Sequence, residues 1–232
     1  AKQSFRYRNG MKIYRLPEKP KALLFDMDMT LYSHPVYAQG QVDTLLVRLA
    51  ARYGKTFEEM KRETDVYRSE WAKKHGGEAI SLSKVILDYG VGMAENIRWR
   101  EEDYKPELYL KPDPRLRETL ERLACSYKLA VVTNNTVSIA LKTFGILGTA
   151  EFFPSSRIVG LDTLGIPKPH KSLYLRAAEI LQTEAASCVS IGDRYDIDLV
   201  PSLEAGMGAI LVDGVEDVYN LEDSIQDSIH RI

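Results

Sequence analysis

Cysteine is scarce in this chain: Cys125 and Cys188 are the two among 232 residues. Two are too few for a disulfide framework, and they give no metal-ligand spacing. They fit a reducing compartment, and a cytoplasmic protein is expected. No apolar run approaches the length of a membrane span, so no membrane partner is expected. Net charge is also scarce, formally −2. That gives no electrostatic case for a nucleic acid polymer or an acidic membrane surface. There is no internal repeat or low-complexity tract. The basic stretch from Ala1 to Lys21 lacks the apolar centre of a secretory signal. What remains is an ordinary globular composition, 44% hydrophobic and 28% charged. Its length suits one large domain or two modest ones.

The chain is organised around Leu23-Leu24-Phe25-Asp26-Met27-Asp28-Met29-Thr30. The run from Ala22 to Phe25 has no polar alternation, which predicts a strand buried on both faces of a parallel sheet. Its hydrophobicity stops at two carboxylates, Asp26 and Asp28. Open α/β sheets bind ligands beyond the carboxyl ends of their strands, so the pair falls at the functional edge. Two close carboxylates repel unless a cation lies between them or one is protonated. A divalent cation that prefers hard oxygens would accept Asp26. Asp28 could carry a proton as a general acid. A carboxylate can also serve as nucleophile and form an aspartyl-phosphate. Standing alone, such a pair is as readily a solvated turn or a helix cap.

The flanking pattern supplies the context. Residues 1–10 are expected to be weakly ordered, and Met11 to Leu16 to form a short edge strand. Ser33-His34-Pro35 is a turn, with His34 more readily a bystander than a catalyst. From Tyr37 to Tyr109 the periodicity is helical. Val42, Leu45, Leu46, Leu49, Ala50 and Tyr53 share one face, and Gly54 ends that helix. Thr56-Phe57-Glu58-Glu59 has the form of a capping box and opens a second helix, to about His75. Ser83–Tyr89 and Ala94–Trp99 read as shorter helices, with Trp71 and Trp99 packing a small helical core. Pro114 suits the first turn of a helix through Leu123. Strands are then expected at Lys128–Val132, around Arg157–Val159, at Ser187–Ile191 and at Ala209–Val212. Helices are expected at Thr136–Phe144, with Gly145 near the end, at Lys171–Leu181, and at Ile197–Ala205. Pro201 marks a kink or a late start in the last of these. Alternating strands and helices predict an α/β fold, a parallel sheet with helices on both faces. The helical block interrupts it after the first strand. Two domains follow: an α/β core of residues 1–35 and 110–232, and an inserted helical cap of residues 36–109.

Polar residues of distinct types fall at the other strand ends. Thr133 and Asn134 precede a helix, where a hydroxyl and backbone N–H groups can cradle an oxyanion or phosphate. A plain N-cap is the more ordinary use of such residues. Lys168 stands between Pro167 and Pro169, a restricted backbone that would hold a fixed positive charge. The alternative is a solvated loop lysine, and His170 beside it reads as a loop residue. Asp193 directly follows a buried strand and could complete a metal shell with Asp26. Asp198 could orient Lys168 or a metal-bound water, with Asp196 its rival.

The order of these motifs resembles the haloacid dehalogenase superfamily. It runs D-x-D-x-T at Asp26, a strand ending at Thr133, a Pro-flanked Lys168, then G-D-x-x-x-x-D at Asp193 and Asp198. The resemblance covers about Lys21 to Val212. A cap between the first two motifs is similar to the C1-capped members, among them pyrimidine 5'-nucleotidase-like and phosphoglycolate phosphatase-like enzymes. It implies an HAD-type phosphatase for a small phosphorylated substrate, a nucleotide or phosphoglycolate. Asp26 would be the nucleophile, and Asp28 the acid and then the base. Mg²⁺ would be held by Asp26, the main-chain carbonyl of Asp28, and Asp193. Thr133, the Asn134 N–H and Lys168 would bind phosphoryl oxygens, with Asp198 behind them. Met29, where Gly or Asn is usual, and Arg194, where a small or acidic residue is common, depart from the pattern. A phosphomutase of the same fold and a non-catalytic binding protein are the alternatives.

Overall fold

The computed structural model describes residues 6–8 and 10–229. In chain order it has β1 (Arg6–Arg8), β2 (Met11–Arg15) and β3 (Ala22–Phe25). Four helices follow: α1 (Pro35–Arg52), α2 (Phe57–Lys74), α3 (Leu82–Asp88) and α4 (Met93–Asp103). Next come α5 (Pro114–Ser126), β4 (Lys128–Val132), α6 (Val137–Leu147), β5 (Ile158–Val159), α7 (Leu161–Leu164) and α8 (Lys171–Ile180). The chain closes through β6 (Cys188–Gly192), α9 (Val200–Glu204), β7 (Gly208–Leu211), α10 (Val215–Val218) and α11 (Leu221–Ile229). The sheet order is β1-β2-β7-β6-β3-β4-β5. The strands from β7 to β5 run parallel, and β1 and β2 add an antiparallel ribbon at one side. Residues 6–8 therefore belong to the sheet, against the expectation of weak order. The rest of that expectation, residues 1–5 and 9, lies outside the described residues. The same ribbon moves β2 one strand in from the edge.

All four residues of β3 are buried. Leu23 and Phe25 face a core shared with Leu129, Val131, Ile191 and the helix residues Leu120 and Phe144. Ala22 and Leu24 face the other, with Ala130, Val132 and Tyr174 of α8. Side chains alternate across a strand, so a strand covered on both sides must be apolar throughout. Burial contributes about 1.5–3 kcal/mol for each of the three large side chains. The ~1–2 kcal/mol per residue lost in backbone ordering offsets most of it.

The helices between β3 and β4 have their own apolar cluster, including Leu45, Leu49, Met60, Ile86, Trp99 and Tyr104, with Ile139 of α6 joining it. The expected capping box is present: Thr56 Oγ1 accepts from the Glu59 N–H, and Glu59 Oε2 accepts from the Thr56 N–H at 2.8 Å. Trp99 packs inside as expected, but Trp71 does not. It is half-buried and stacks on the His75 ring at 3.8 Å. The buried residues of α2 are Met60 and Thr64, so its second half leaves the cluster.

Three other local differences have simple causes. The α6 helix runs past Gly145, which is tolerated inside it, and ends at Gly148, whose φ of 75° suits a left-handed cap. A π-turn at Tyr195–Leu199 precedes α9, and Pro201 sits in the first turn of α9, where its missing N–H costs nothing. His34 caps α1, its Nδ1 accepting from the Tyr37 N–H at 3.1 Å. His170 likewise caps α8 through the Ser172 N–H at 3.3 Å.

Candidate active site

The strands β6 and β4 end one residue beyond β3, because Phe25, the last residue of β3, pairs with Ile191 on one side and Val131 on the other. Their next residues therefore share one edge. The chain leaves β3 for β4 and β5, then returns to β6 on the opposite side of β3. Ligand crevices form where a sheet reverses direction in this way.

Lys168 lies at the bottom of the crevice and is fully buried. Its ammonium donates to Asp26 Oδ1 at 2.5 Å, Asp198 Oδ1 at 2.7 Å and the Val132 carbonyl at 3.1 Å. An ammonium has three protons, so all are used. Its backbone is held as well: the Lys168 N–H donates to Asn134 Oδ1 at 2.7 Å, and Ser81 Oγ donates to the Lys168 carbonyl at 2.6 Å. Asp198 also accepts from the Arg194 N–H at 3.0 Å, and these partners hold its carboxyl below the usual range. Gly192 makes room for this: a Cβ there would come within 2.5 Å of Asp198 Cβ. Asp196 is elsewhere, half-buried and accepting from the Ala79 N–H at 2.9 Å.

Asp28 faces the helical block. Oδ1 accepts from the Tyr32 hydroxyl and from Gln41 Nε2 at 3.0 Å, and Oδ2 accepts from Asn135 Nδ2 at 2.8 Å. Burial and the Asp28 charge hold the Tyr32 hydroxyl well above its ordinary pKa. Tyr32, Gln41 and Asn135 were not anticipated from the sequence. One signal was available: Gln41 interrupts the α1 stripe four residues after Tyr37 and four before Leu45, a polar side chain on a buried face. Met29, next to Asp28, has φ 59°. Gly and Asn enter that left-handed region most easily, which accounts for the residue types usual there.

The donor set fits a hard divalent cation. Carboxylate oxygens of Asp26, Asp193 and Asp198 all lie within 4.8 Å of one another. Asp198 is already engaged, whereas Asp26 Oδ2 and Asp193 Oδ1 are buried without hydrogen-bond partners. Two bare carboxylate oxygens in one crevice are costly unless protonated or bridged by positive charge. Burial accordingly raises Asp26 above the usual carboxylate range. Burial, with the Asp198 charge, pushes Asp193 from 3.8 to about 6.

A stability prediction follows for protein held in chelator. A carboxyl whose pKa is higher folded than unfolded stabilises most at low pH and loses that contribution as pH rises through the folded value. For Asp193 that loss falls between about pH 4 and pH 6. Asp193→Asn, which does not titrate, should therefore gain on wild type by about 3 kcal/mol across the window. Melting temperatures of the two proteins in chelator from pH 4 to 8 give the difference. A constant gap would show that Asp193 ionises freely.

Thr133 Oγ1 accepts from the Asn135 N–H at 3.1 Å, which leaves its hydroxyl proton free to donate. Asn134, Asn135, Asp28, Asp193, Arg194 and Met29 line one cavity of about 220 Å³, with α1, α3 and α4 residues above them. Arg194 lies over the acids, its Nε 3.6 Å from Asp198 Oδ2 and 3.8 Å from Asp193 Oδ1. Carboxylates, an ammonium and a free hydroxyl thus converge at the carboxyl edge of a parallel sheet. Fold and site together define an α/β protein with an acidic crevice built around a buried lysine.

Its family can be stated as well. The model of the haloacid dehalogenase-like hydrolases matches residues 20–206, and the chain belongs to that family. It is 31% identical over 197 residues to a phosphoglycolate phosphatase of Aquifex aeolicus, covering 80% of this chain and 81% of the relative. It is 26% identical to a glyceraldehyde 3-phosphate phosphatase of Methanopyrus kandleri, over 83% of each chain. It is thus a hydrolase of the phosphatase type these names describe. Among solved structures, an HAD phosphatase from Thermococcus onnurineus shares the fold with a TM-score of 0.54 at 20% identity, covering 82% of this chain and 84% of the other.

Proposed function

We propose that the chain is a Mg²⁺-dependent phosphomonoesterase for a small phosphorylated metabolite, working through a phosphoryl group carried on Asp26. The observation that supports this most is the asymmetry of Asp26: Lys168 takes Oδ1, and Oδ2 is left bare in the crevice. That bare oxygen attacks phosphorus. The new Asp26 O–P bond forms as the ester P–O bond breaks in line. Asp28 gives its proton to the leaving oxygen, then takes one from the water that cleaves the Asp26 phosphoryl group. While Asp28 holds a proton, the Tyr32 hydroxyl can turn and accept from it. Once Asp28 is ionised, Tyr32, Gln41 and Asn135 all donate to it. Lys168 must exchange one of its three bonds to reach a phosphoryl oxygen. Thr133 has a proton free for another. Asp26, Asp193 and the main-chain carbonyl of Asp28 would hold Mg²⁺, whose charge offsets that of the two carboxylates and the phosphoryl group.

The helices from α1 to α4 form a cap of residues 36–109 over a core of residues 1–35 and 110–232, and the cap excludes water and selects the substrate. Phosphate release from a broad panel of monoesters, with Mg²⁺ and with chelator, tests the reading. Release that requires the metal is expected. Release unaffected by chelator would remove Mg²⁺ from the scheme, and no release from any ester would overturn the phosphatase.

A further inference from the structure

The cavity that Asp28 lines also holds an arginine that nothing in the scheme above uses. Arg100 of α4 is 4% exposed and lines the same cavity. Its Nε donates to Asn96 Oδ1 at 3.1 Å, its Nη1 to the Tyr104 hydroxyl at 3.0 Å and its Nη2 to Ser83 Oγ at 2.7 Å. All three partners are neutral. Among the described residues no carboxylate pairs with it. The other charged groups on the cavity have partners of their own. Asp28 takes its hydrogen bonds from Tyr32, Gln41 and Asn135, and Arg194 lies within 3.8 Å of Asp193 and 3.6 Å of Asp198.

A guanidinium withdrawn from water without a counter-charge is expensive, and such groups are normally paired. A guanidinium carries five N–H donors in a fixed fork, and three neutral acceptors leave donors over. The arginine is also held rather than floppy. Tyr104 donates onward to the Gln41 carbonyl at 3.1 Å, so α4 and α1 fix it between them. A preorganised, unneutralised cation on a ligand cavity is the arrangement that binds an anion.

We infer that Arg100 receives a second anionic group of the substrate, and that the substrate is a short phosphorylated carboxylic acid. This rests on the phosphatase reading, with the phosphoryl group at Asp26 and the carboxylate at Arg100. Size favours a carboxylate. The cavity of about 220 Å³ is lined by Asp28, Asn134 and Asp193 as well as Arg100, which suits a molecule of a few carbons better than a nucleoside. A planar carboxylate also matches the guanidinium fork. Ser83 on the same wall accepts from Arg100 and keeps its hydroxyl proton to donate.

The test compares three esters on the wild-type enzyme with Mg²⁺: 2-phosphoglycolate, ethyl phosphate and ethylene glycol bisphosphate. The first two differ in the carboxylate, and the third replaces it with a phosphate. The expected kcat/KM for 2-phosphoglycolate exceeds that for ethyl phosphate by about 100-fold, the scale of a buried charge pair. In Arg100→Met that ratio collapses towards unity, and Arg100→Lys restores part of it. Equal wild-type kcat/KM for 2-phosphoglycolate and ethyl phosphate would overturn the role of Arg100 and leave the phosphatase standing. Preference for the bisphosphate would overturn the carboxylate. Failure to hydrolyse any ester, here and in the broad panel, would remove the phosphatase reading itself. The wild-type comparison needs no variant, so it decides even if the arginine substitutions destabilise the fold.

Discussion

Asp26→Asn should lower phosphate release by at least about 10⁴-fold, the scale seen when a nucleophile is removed. The substitution keeps the shape of the side chain and removes the carboxylate oxygen proposed to attack. Stability should change little, because two effects oppose. Lys168 loses a charge-assisted bond but keeps Asp198 and the Val132 carbonyl. The crevice at the same time loses a buried carboxylate oxygen that had no partner. A shift of the melting temperature within about 5 °C is expected. Phosphate assays and a thermal melt on the same preparation separate the two quantities. Undiminished turnover in a folded variant would show that the nucleophile lies elsewhere.

Lys168→Met should damage both activity and stability. The ammonium is the cation that lies between Asp26 and Asp198, at 2.5 and 2.7 Å. Without it two buried carboxylates face each other. Breaking a buried ion pair from one side costs about 3–5 kcal/mol, so the melting temperature should fall by roughly 10 °C. Turnover should fall by about 10³-fold, since charge on the transferred phosphoryl group loses its fixed partner. The double substitution Lys168→Met with Asp26→Asn separates the effects. It removes one of the two stranded carboxylates and should recover part of the stability without recovering turnover. Additive losses in stability would show that the two side chains do not share a charge balance.

The sequence exposed the parts of this site that carry formal charge at strand ends. Asp26 was legible beside an apolar strand, Lys168 between two prolines and Asp198 in the acidic run that follows Asp193, and the structure brings the three within hydrogen-bond reach. The partners of Asp28 were not. Asn135 lies one residue beyond the expected cradle, and Tyr32 sits in a turn that has no period. Gln41 and Arg100 were hidden by their helices. A polar residue on a buried helical face is visible only once that face is known, and α4 shows Asn96, Trp99 and Arg100 buried together. The sheet centre followed from one short apolar run. The β1–β2 ribbon did not, because a three-residue strand has too few positions to show alternation.

The Ser81 contact has a consequence for timing. Ser81 belongs to the roof, yet it bonds to the carbonyl of the residue whose ammonium balances the acids below. Asp196, from the turn after β6, reaches up to the Ala79 N–H just before it. An outward swing of the roof would break both contacts together and loosen the backbone of Lys168. Admission of bulk water and loosening of the support beneath Asp26 would then be one event. Asn134 would still hold the Lys168 N–H, so such a swing would remove one of the two backbone anchors beneath the ammonium.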